Sequence, residues 1–416
     1  MEAFPLVLGT YFGITGITFL LFCVFVIACL GYALGRVTIK GVSLGTAGVF
    51  VVALLFGCFF YKPLSAQLLT TANSTNYASN ALKIIENMGL VLFVTAVGFI
   101  AGPNFFGGLK KNFKSYILLG IIIILSSSLV CVLCVKGFGC NSSMAVGILS
   151  GALTSTPAFS AAKETVNAVA ETAAQAAELE SMVTVGHGIA YLFGVVGVVL
   201  FVQLVPKFAK ANMAEERAKL RIVNDGSRLS RNVGKRISLD GFGFGAFALA
   251  VILGMCLGSI KIPMLNSTFS LGTTGGTLIM ALVLAHFGHI GPLDLNVPKA
   301  TLEVFRELGL MLFLIGAGIP GGAKFVELFR LEYFLYGVVM TLVPMFVGYF
   351  FAKKVLKISM LNNLGSITGG MTSTPALGTL INVAGTDDVA SAYAATYPIA
   401  LVCVVLVSQF IILLFP

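Results

Sequence analysis

The sequence predicts an all-α membrane protein made of two inverted repeats, each with five transmembrane helices plus one re-entrant or broken segment, ten crossings in all. Three observations carry this. Hydrophobic residues make up 57% of the 416-residue chain and charged residues 10%, against roughly 45–50% and about 25% in a soluble domain. The chain resembles itself at an offset of about 220 residues. Its basic runs are placed so that only an odd number of crossings per repeat reconciles them. At roughly 20 residues per spanning helix, no room is left for a soluble catalytic domain, and any chemistry sits among the helices.

The first repeat, 1–205, reads as spans at about 10–35, 44–62, 84–106, 115–136 and 182–205, with a segment broken by Gly and Pro around 142–162. The amino-terminal MEAFPLVLGTYF has no basic region and no clear cleavage site, so it is expected to belong to a retained first helix. A basic linker, 206–240, leads to the second repeat, 241–416, which holds the same six elements. Three blocks recur in order. VSLGTAGVFVVALLFG from Val42 matches FSLGTTGGTLIMALVLAHFG from Phe269, and MGLVLFVTAVGFIAGPNFFGGLK from Met88 matches LGLMLFLIGAGIPGGAKFVELFR from Leu308. The third pair is GALTSTPAF from Gly151 and GGMTSTPAL from Gly369.

Lys and Arg near helix ends favour the cytoplasm. Arg36 with Lys40, then Lys110, Lys111 and Lys114, follow alternate spans, and the linker is rich in Lys and Arg. All of these fall inside only if the first TSTP segment enters and returns, which puts Glu164, Glu171, Glu178 and Glu180 outside and Arg221 and Arg231 inside. Five crossings then turn the second copy over, the plan of many secondary transporters. Lys353, Lys354 and Lys357 make the second TSTP segment dip in from the cytoplasm. Both termini are expected outside, with the chain multi-pass in a bacterial inner membrane.

Non-helical backbone at membrane depth survives only when buried in protein or lining a wet cavity. Pro157 and Pro375 interrupt helical bonding, and Gly151, Gly369 and Gly370 allow close approach. The amides and hydroxyls of Thr154, Ser155, Thr156, Thr372, Ser373 and Thr374 are therefore expected to face a shared tip, where a helix amino terminus favours an anion. A kink with hydroxyls bonded back to the preceding turn is the alternative; recurrence at matching places in both repeats favours binding. After each turn, His187 and Tyr191 occupy the positions of Tyr393 and Tyr397, each pair spaced i, i+4 on one helix face. Repeat one carries about 12 extra residues here, in KETVNAVAETAAQAAELESM, expected to form a short exposed helix outside. Lys163 is expected to snorkel to the surface rather than meet a substrate carboxylate.

Other chemistries find little support. The eight cysteines lie mostly in apolar runs and Cys131 and Cys134 form a lone CxxC in an apolar helix, so neither disulfide framework nor metal site is expected. His286, His289 and Asp294 sit at a broken helix end, and Glu303, Arg306 and Glu307 read as interfacial pairs. No cofactor, metal, nucleic-acid surface or enzyme signature such as HExxH is expected. The expected function is a secondary active transporter, an antiporter of small carboxylates such as acidic amino acids or dicarboxylates, working by alternating access around the two turns as a homodimer in the bilayer. A cation:proton antiporter on a similar scaffold, or a channel, is the alternative; the near absence of acidic residues in the spans counts against the antiporter.

The SLGTAGV and SLGTTGG blocks, MGLVLFVTAVG with RELGLMLFLIGAG, both TSTPA turns and YAATYPIA resemble the aspartate:alanine exchanger family of bacterial transporters over nearly the whole chain. The resemblance implies two five-span halves joined by a cytoplasmic region, and transport of amino acids or dicarboxylates. Two departures stand out. The soluble regulator-of-conductance type domains usual between the halves are replaced by the short linker, and the first AYP motif reads Ala190, Tyr191, Leu192.

Overall fold

The computed structural model describes residues 13–39, 42–43, 45–68, 77–107, 113–209, 211–221, 237–264 and 267–415. The first half comprises α1 (Gly16–Arg36), α2 (Ala47–Ala66), α3 (Ala78–Gly107), α4 (Phe113–Phe138), a broken pair α5 (Ser142–Ala152) and α6 (Thr156–Val169), and α7 (Ala173–Phe208). A linker helix α8 (Met213–Arg221) follows. The second half repeats the order with α9 (Phe244–Gly258), α10 (Gly272–Phe287), α11 (Lys299–Leu328), α12 (Leu331–Lys354), the broken pair α13 (Met360–Gly370) and α14 (Thr374–Ala384), and α15 (Ala390–Leu414). Among the described residues, seven helices are long and apolar enough to cross a membrane: α1, α7, α12, α15 and most of α2, α3 and α4. The chain is thus a predominantly helical, multi-pass membrane protein. On α1, Cys23, Val24 and Ile27 are buried while Ile17, Leu21 and Phe25 are exposed, the pattern of a helix with one face on protein and one on lipid.

Equivalent helices of the two halves trade partners. Helix α2 packs on α11 and α10 on α3; α7 packs on α12 and α15 on α4; α6 packs on α15 and α14 on α7. Helices α3 and α11 pack on each other. A Cβ added to Gly89 would lie 2.6 Å from the Gly309 carbonyl oxygen, and one added to Gly309 would lie 2.7 Å from that of Gly89. These glycines occupy the same position of the repeated block, so one close backbone approach is made twice. With no hydrophobic drive between helices in lipid, such small-residue contacts let van der Waals packing hold them together.

Short antiparallel ladders precede α2 (Thr38–Ile39 with Val42–Ser43) and α10 (Ile262–Met264 with Ser267–Phe269). The linker returns through Ile237–Ser238, parallel to Leu293–Asp294, which pairs antiparallel with His289–Ile290. His289 and Asp294 thus pair within a small sheet, while His286 lies in the last turn of α10. Helix α8 is docked: Leu220 is buried, and a Glu216 carboxylate oxygen accepts the Met360 backbone N–H at 2.9 Å, at the start of α13.

The extra residues of the first repeat do not form a separate exposed helix. They lengthen α6 and supply the first turns of α7, which runs unbroken over 36 residues from a Thr172 cap that accepts the Gln175 N–H. A run rich in Ala and Glu has high helix propensity, and nothing after Thr172 breaks it. Lys40, Lys110, Lys111 and Arg231 lie outside the described residues, as do the side chains of Arg221, Thr374 and Pro375.

Adding a methyl at the α3/α11 crossing forces the helices apart. Gly309→Ala is expected to destabilise the protein by about 1–3 kcal/mol, read as a lower unfolding midpoint in detergent. Gly137→Ala on α4, where a Cβ meets nothing within 4 Å, should leave the midpoint unchanged.

Candidate functional site

Each broken pair turns on the same five-residue device. Helix α5 ends with the Thr154 N–H donating to Gly151 O and the Ser155 N–H to Ser150 O; α13 ends with Thr372 N–H to Gly369 O and Ser373 N–H to Thr368 O. This is the bonding of a Schellman cap, which places its C′ residue in the left-handed region and normally uses Gly there. Here that residue is Thr, at φ +52° for Thr154 and +50° for Thr372. A β-branched side chain at positive φ is strained. What it gains is reach: the Thr154 hydroxyl donates to Met371 O at 3.0 Å, and the Thr372 hydroxyl donates to Leu153 O at 2.8 Å. Each threonine satisfies a carbonyl at the end of the opposite helix, so the two turns meet tip to tip.

After each tip a new helix begins with Thr-Pro in its first turn, where a missing N–H costs nothing. Ser155 caps α6, its hydroxyl accepting the Ala158 N–H at 3.4 Å, and Thr156 is buried beside it. Ser373 holds the matching position on α14, fully buried, and its hydroxyl has no partner among the described residues. Two helix amino termini therefore start from one point, with an orphaned hydroxyl at one of them.

The helices after the turns are pressed against the helices before them. Gly147 and Gly151 on α5, and Gly365 and Gly369 on α13, form GxxxG pairs, and a Cβ on Gly151 or Gly369 would lie 2.4 or 2.7 Å from the carbonyl oxygen of His187 or Tyr393. This brings His187 and Tyr191 against the end of α5, and Tyr393 and Tyr397 against the end of α13. His187 is fully buried, with Nδ1 2.8 Å from the Ser150 hydroxyl and the ring stacked on Phe159 at 4.3 Å. Its Nε2 is buried without a partner among the described residues. Tyr393 and Tyr397 stack on each other at 5.1 Å.

Beyond the turn on α6 lies a cluster of charges. Lys163 is buried, its ammonium 2.5 Å from a Glu86 carboxylate oxygen and 3.9 Å from Glu180. Glu180 is also held by Lys83 and Asn167. Lys163 and Glu180 line a cavity of about 520 Å3 between α6, α7 and α11. Nearby, Glu164 accepts the Thr274 N–H at 3.2 Å, at the amino terminus of α10, while Ser160 and Thr274 hydroxyls are 2.7 Å apart. On the matching SLGT block of the first half, the Thr46 hydroxyl donates to Glu307 at 3.1 Å.

Residues 23–207 and 246–413 match the family model of the aspartate:alanine exchangers, described as a predicted permease membrane region. The chain belongs to the aspartate:alanine exchanger family. Similar full-length proteins include uncharacterized transporters of Bacteroides fragilis (strain YCH46), 26% identical over 547 aligned positions covering 94% of this chain and 97% of the relative, and of Desulfotalea psychrophila (strain LSv54 / DSM 12343), 24% identical over 551 positions covering 94% and 96%. A third, of Geobacter sulfurreducens (strain ATCC 51573 / DSM 12127 / PCA), is 23% identical over 552 positions covering 94% and 98%. These alignments are well over a hundred positions longer than this chain, so the relatives carry segments that this exchanger-family member lacks.

One expectation for this family member needs correction. Lys163 does not snorkel: Glu86 and the neighbouring helices enclose it. The Thr154 and Thr372 hydroxyls, expected to face a shared tip, each donate to the opposite turn, and Glu86 is one of the few acidic residues in the apolar helices, buried within α3. Glu86 and Lys163 are 77 positions apart, and no local spacing announces such a pair. The available signals were a lone Glu in the apolar stretch LKIIENMGL, and Lys163 falling seven residues after Thr156, on the same helical face.

The crossed threonine bonds separate hydroxyl from shape. Thr154→Val keeps the branched side chain at positive φ and leaves Met371 O without its donor, so it should cost about 1–3 kcal/mol of stability. Thr154→Ser keeps the hydroxyl and removes the branch, and its melting temperature should equal or exceed that of the wild type.

Proposed function

We propose that the protein is a secondary antiporter of small carboxylates, acidic amino acids or dicarboxylates, which alternates access around the two TSTP turns. The observation that carries this reading is the meeting of two broken helices at one point, with the Ser373 hydroxyl at the start of α14 and, beside α5, His187 Nε2 buried without partners among the described residues. Helix amino termini at a break are where a transporter accommodates an anionic group. The family membership and the relatives' designation as transporters point the same way. Thr156, Ser373 and the Thr374 backbone would hold the carboxylate, with Tyr191, Tyr397, Tyr393 and His187 closing over it.

In this reading the halves are inverted repeats, ten crossings in all, with both termini outside and the linker in the cytoplasm of a bacterial inner membrane, and the carrier is a homodimer. The reciprocal packing of α2 on α11 and α10 on α3 supports a two-fold relation between the halves. A cation:proton antiporter is the second reading, favoured by the buried Glu86. Its carboxylate is committed to Lys163, which makes it a poor free ion carrier.

Orientation is tested with single cysteines on a cysteine-free background. Cysteines replacing Glu171 and Lys219 are expected to react with an impermeant thiol reagent from opposite sides of the membrane; labelling from one side would refute the inverted arrangement. For the site, L-aspartate and succinate are expected to raise the melting temperature of the wild type. Thr156→Val should weaken that binding roughly tenfold to hundredfold, as expected for a lost hydrogen bond to a charged group. No stabilisation of the wild type by any small carboxylate would sink the functional reading.

A further inference from the structure

We propose that Lys163 is the cationic anchor for a substrate carboxylate, that Glu86 fixes its ammonium from behind, and that Glu180 is the anion the substrate displaces. This rests on the carboxylate-carrier reading and gives it a charged ligand, which the turns alone do not provide.

Burying an ammonium and a carboxylate together brings little stability, and apolar residues of similar size generally do as well or better. The second half illustrates this: the position that matches Lys163, counted from the TSTPA block, is Ile381. A helix following a TSTP turn therefore does not need a cation there to pack. The first half keeps one, and keeps it at the wall of a cavity of about 520 Å3.

The geometry divides the roles. Glu86 lies 2.5 Å from the ammonium but does not line the cavity, so it sits on the protein side. Glu180 does line the cavity, is 3.9 Å from the ammonium, and has Lys83 and Asn167 as partners of its own. An incoming carboxylate can take Glu180's place at Lys163 without leaving Glu180 bare. Around the cavity Lys324 pairs with Glu327 at 3.0 Å and Glu178 is exposed, which leaves Lys163 as the buried cation of the lining. Thr156 and Lys163 share one face of α6, seven residues and roughly 10 Å apart along the axis. A carboxylate arriving at Lys163 is thus one step from the turn. The inserted residues of the first repeat acquire a purpose here: they build the start of α7, which carries Glu180 to the cavity.

Titration calorimetry with succinate and L-aspartate on the purified full-length protein tests the assignment. Removing Lys163 alone would strand Glu86, so the variant used is Lys163→Met with Glu86→Gln, checked for a wild-type melting profile. Its affinity should fall roughly tenfold to hundredfold, whereas Glu180→Gln, which removes the competitor, should raise affinity several-fold. Unchanged affinity in the double variant, or equal weakening by Glu180→Gln, would overturn the role of Lys163 while the carrier reading stands. A wild type that binds neither probe would remove both.

Discussion

Everything at the centre of this protein depends on two crossed hydrogen bonds, Thr154 to Met371 O and Thr372 to Leu153 O. A helix that stops at membrane depth leaves carbonyls with no partner, and lipid supplies none. Each half solves this for the other. The cost is two β-branched residues held at positive φ, a conformation that glycine would adopt without strain. Glycine has no hydroxyl to send across, so the strained residue is the one that fits.

From that junction the rest is arranged by close approach. GxxxG pairs on α5 and α13 hold α7 and α15 against the broken helices, and the Gly89 and Gly309 crossing ties α3 to α11. The helices that start at the tips are thereby aimed from a common origin. The two halves are equal in scaffold and unequal in chemistry: His187, Lys163 and Glu180 have no charged or titratable match of the same kind in the second half, where Tyr393 and Ile381 stand at the places of His187 and Lys163. In the carrier reading proposed above, the shared frame would serve alternating access and the unequal side chains would give the substrate its place.

Much of this was legible in the sequence. TSTPA occurs twice in register with two other blocks, and Pro157 and Pro375 mark where helices restart, so the breaks were placed by residue chemistry alone. The equivalence of His187 and Tyr191 with Tyr393 and Tyr397 followed from the same alignment. What was hidden is what depends on distant segments meeting. Nothing near Thr154 tells that its hydroxyl bonds a residue 217 positions away, and Lys163 looks like a surface lysine until α3 brings Glu86 to it. The Ala and Glu rich insertion read as a cap because its composition suits a solvated helix; its continuity with α7 depends on Thr172 being the last break.

The central claim, that the paired turns serve exchange of small carboxylates, is tested most directly by counterflow in proteoliposomes. Vesicles loaded with unlabelled succinate or L-aspartate and diluted into labelled substrate should show a transient overshoot of label without any imposed ion gradient. An absence of overshoot for every small carboxylate in folded, reconstituted protein, together with proton movement driven by a cation gradient, would contradict the account.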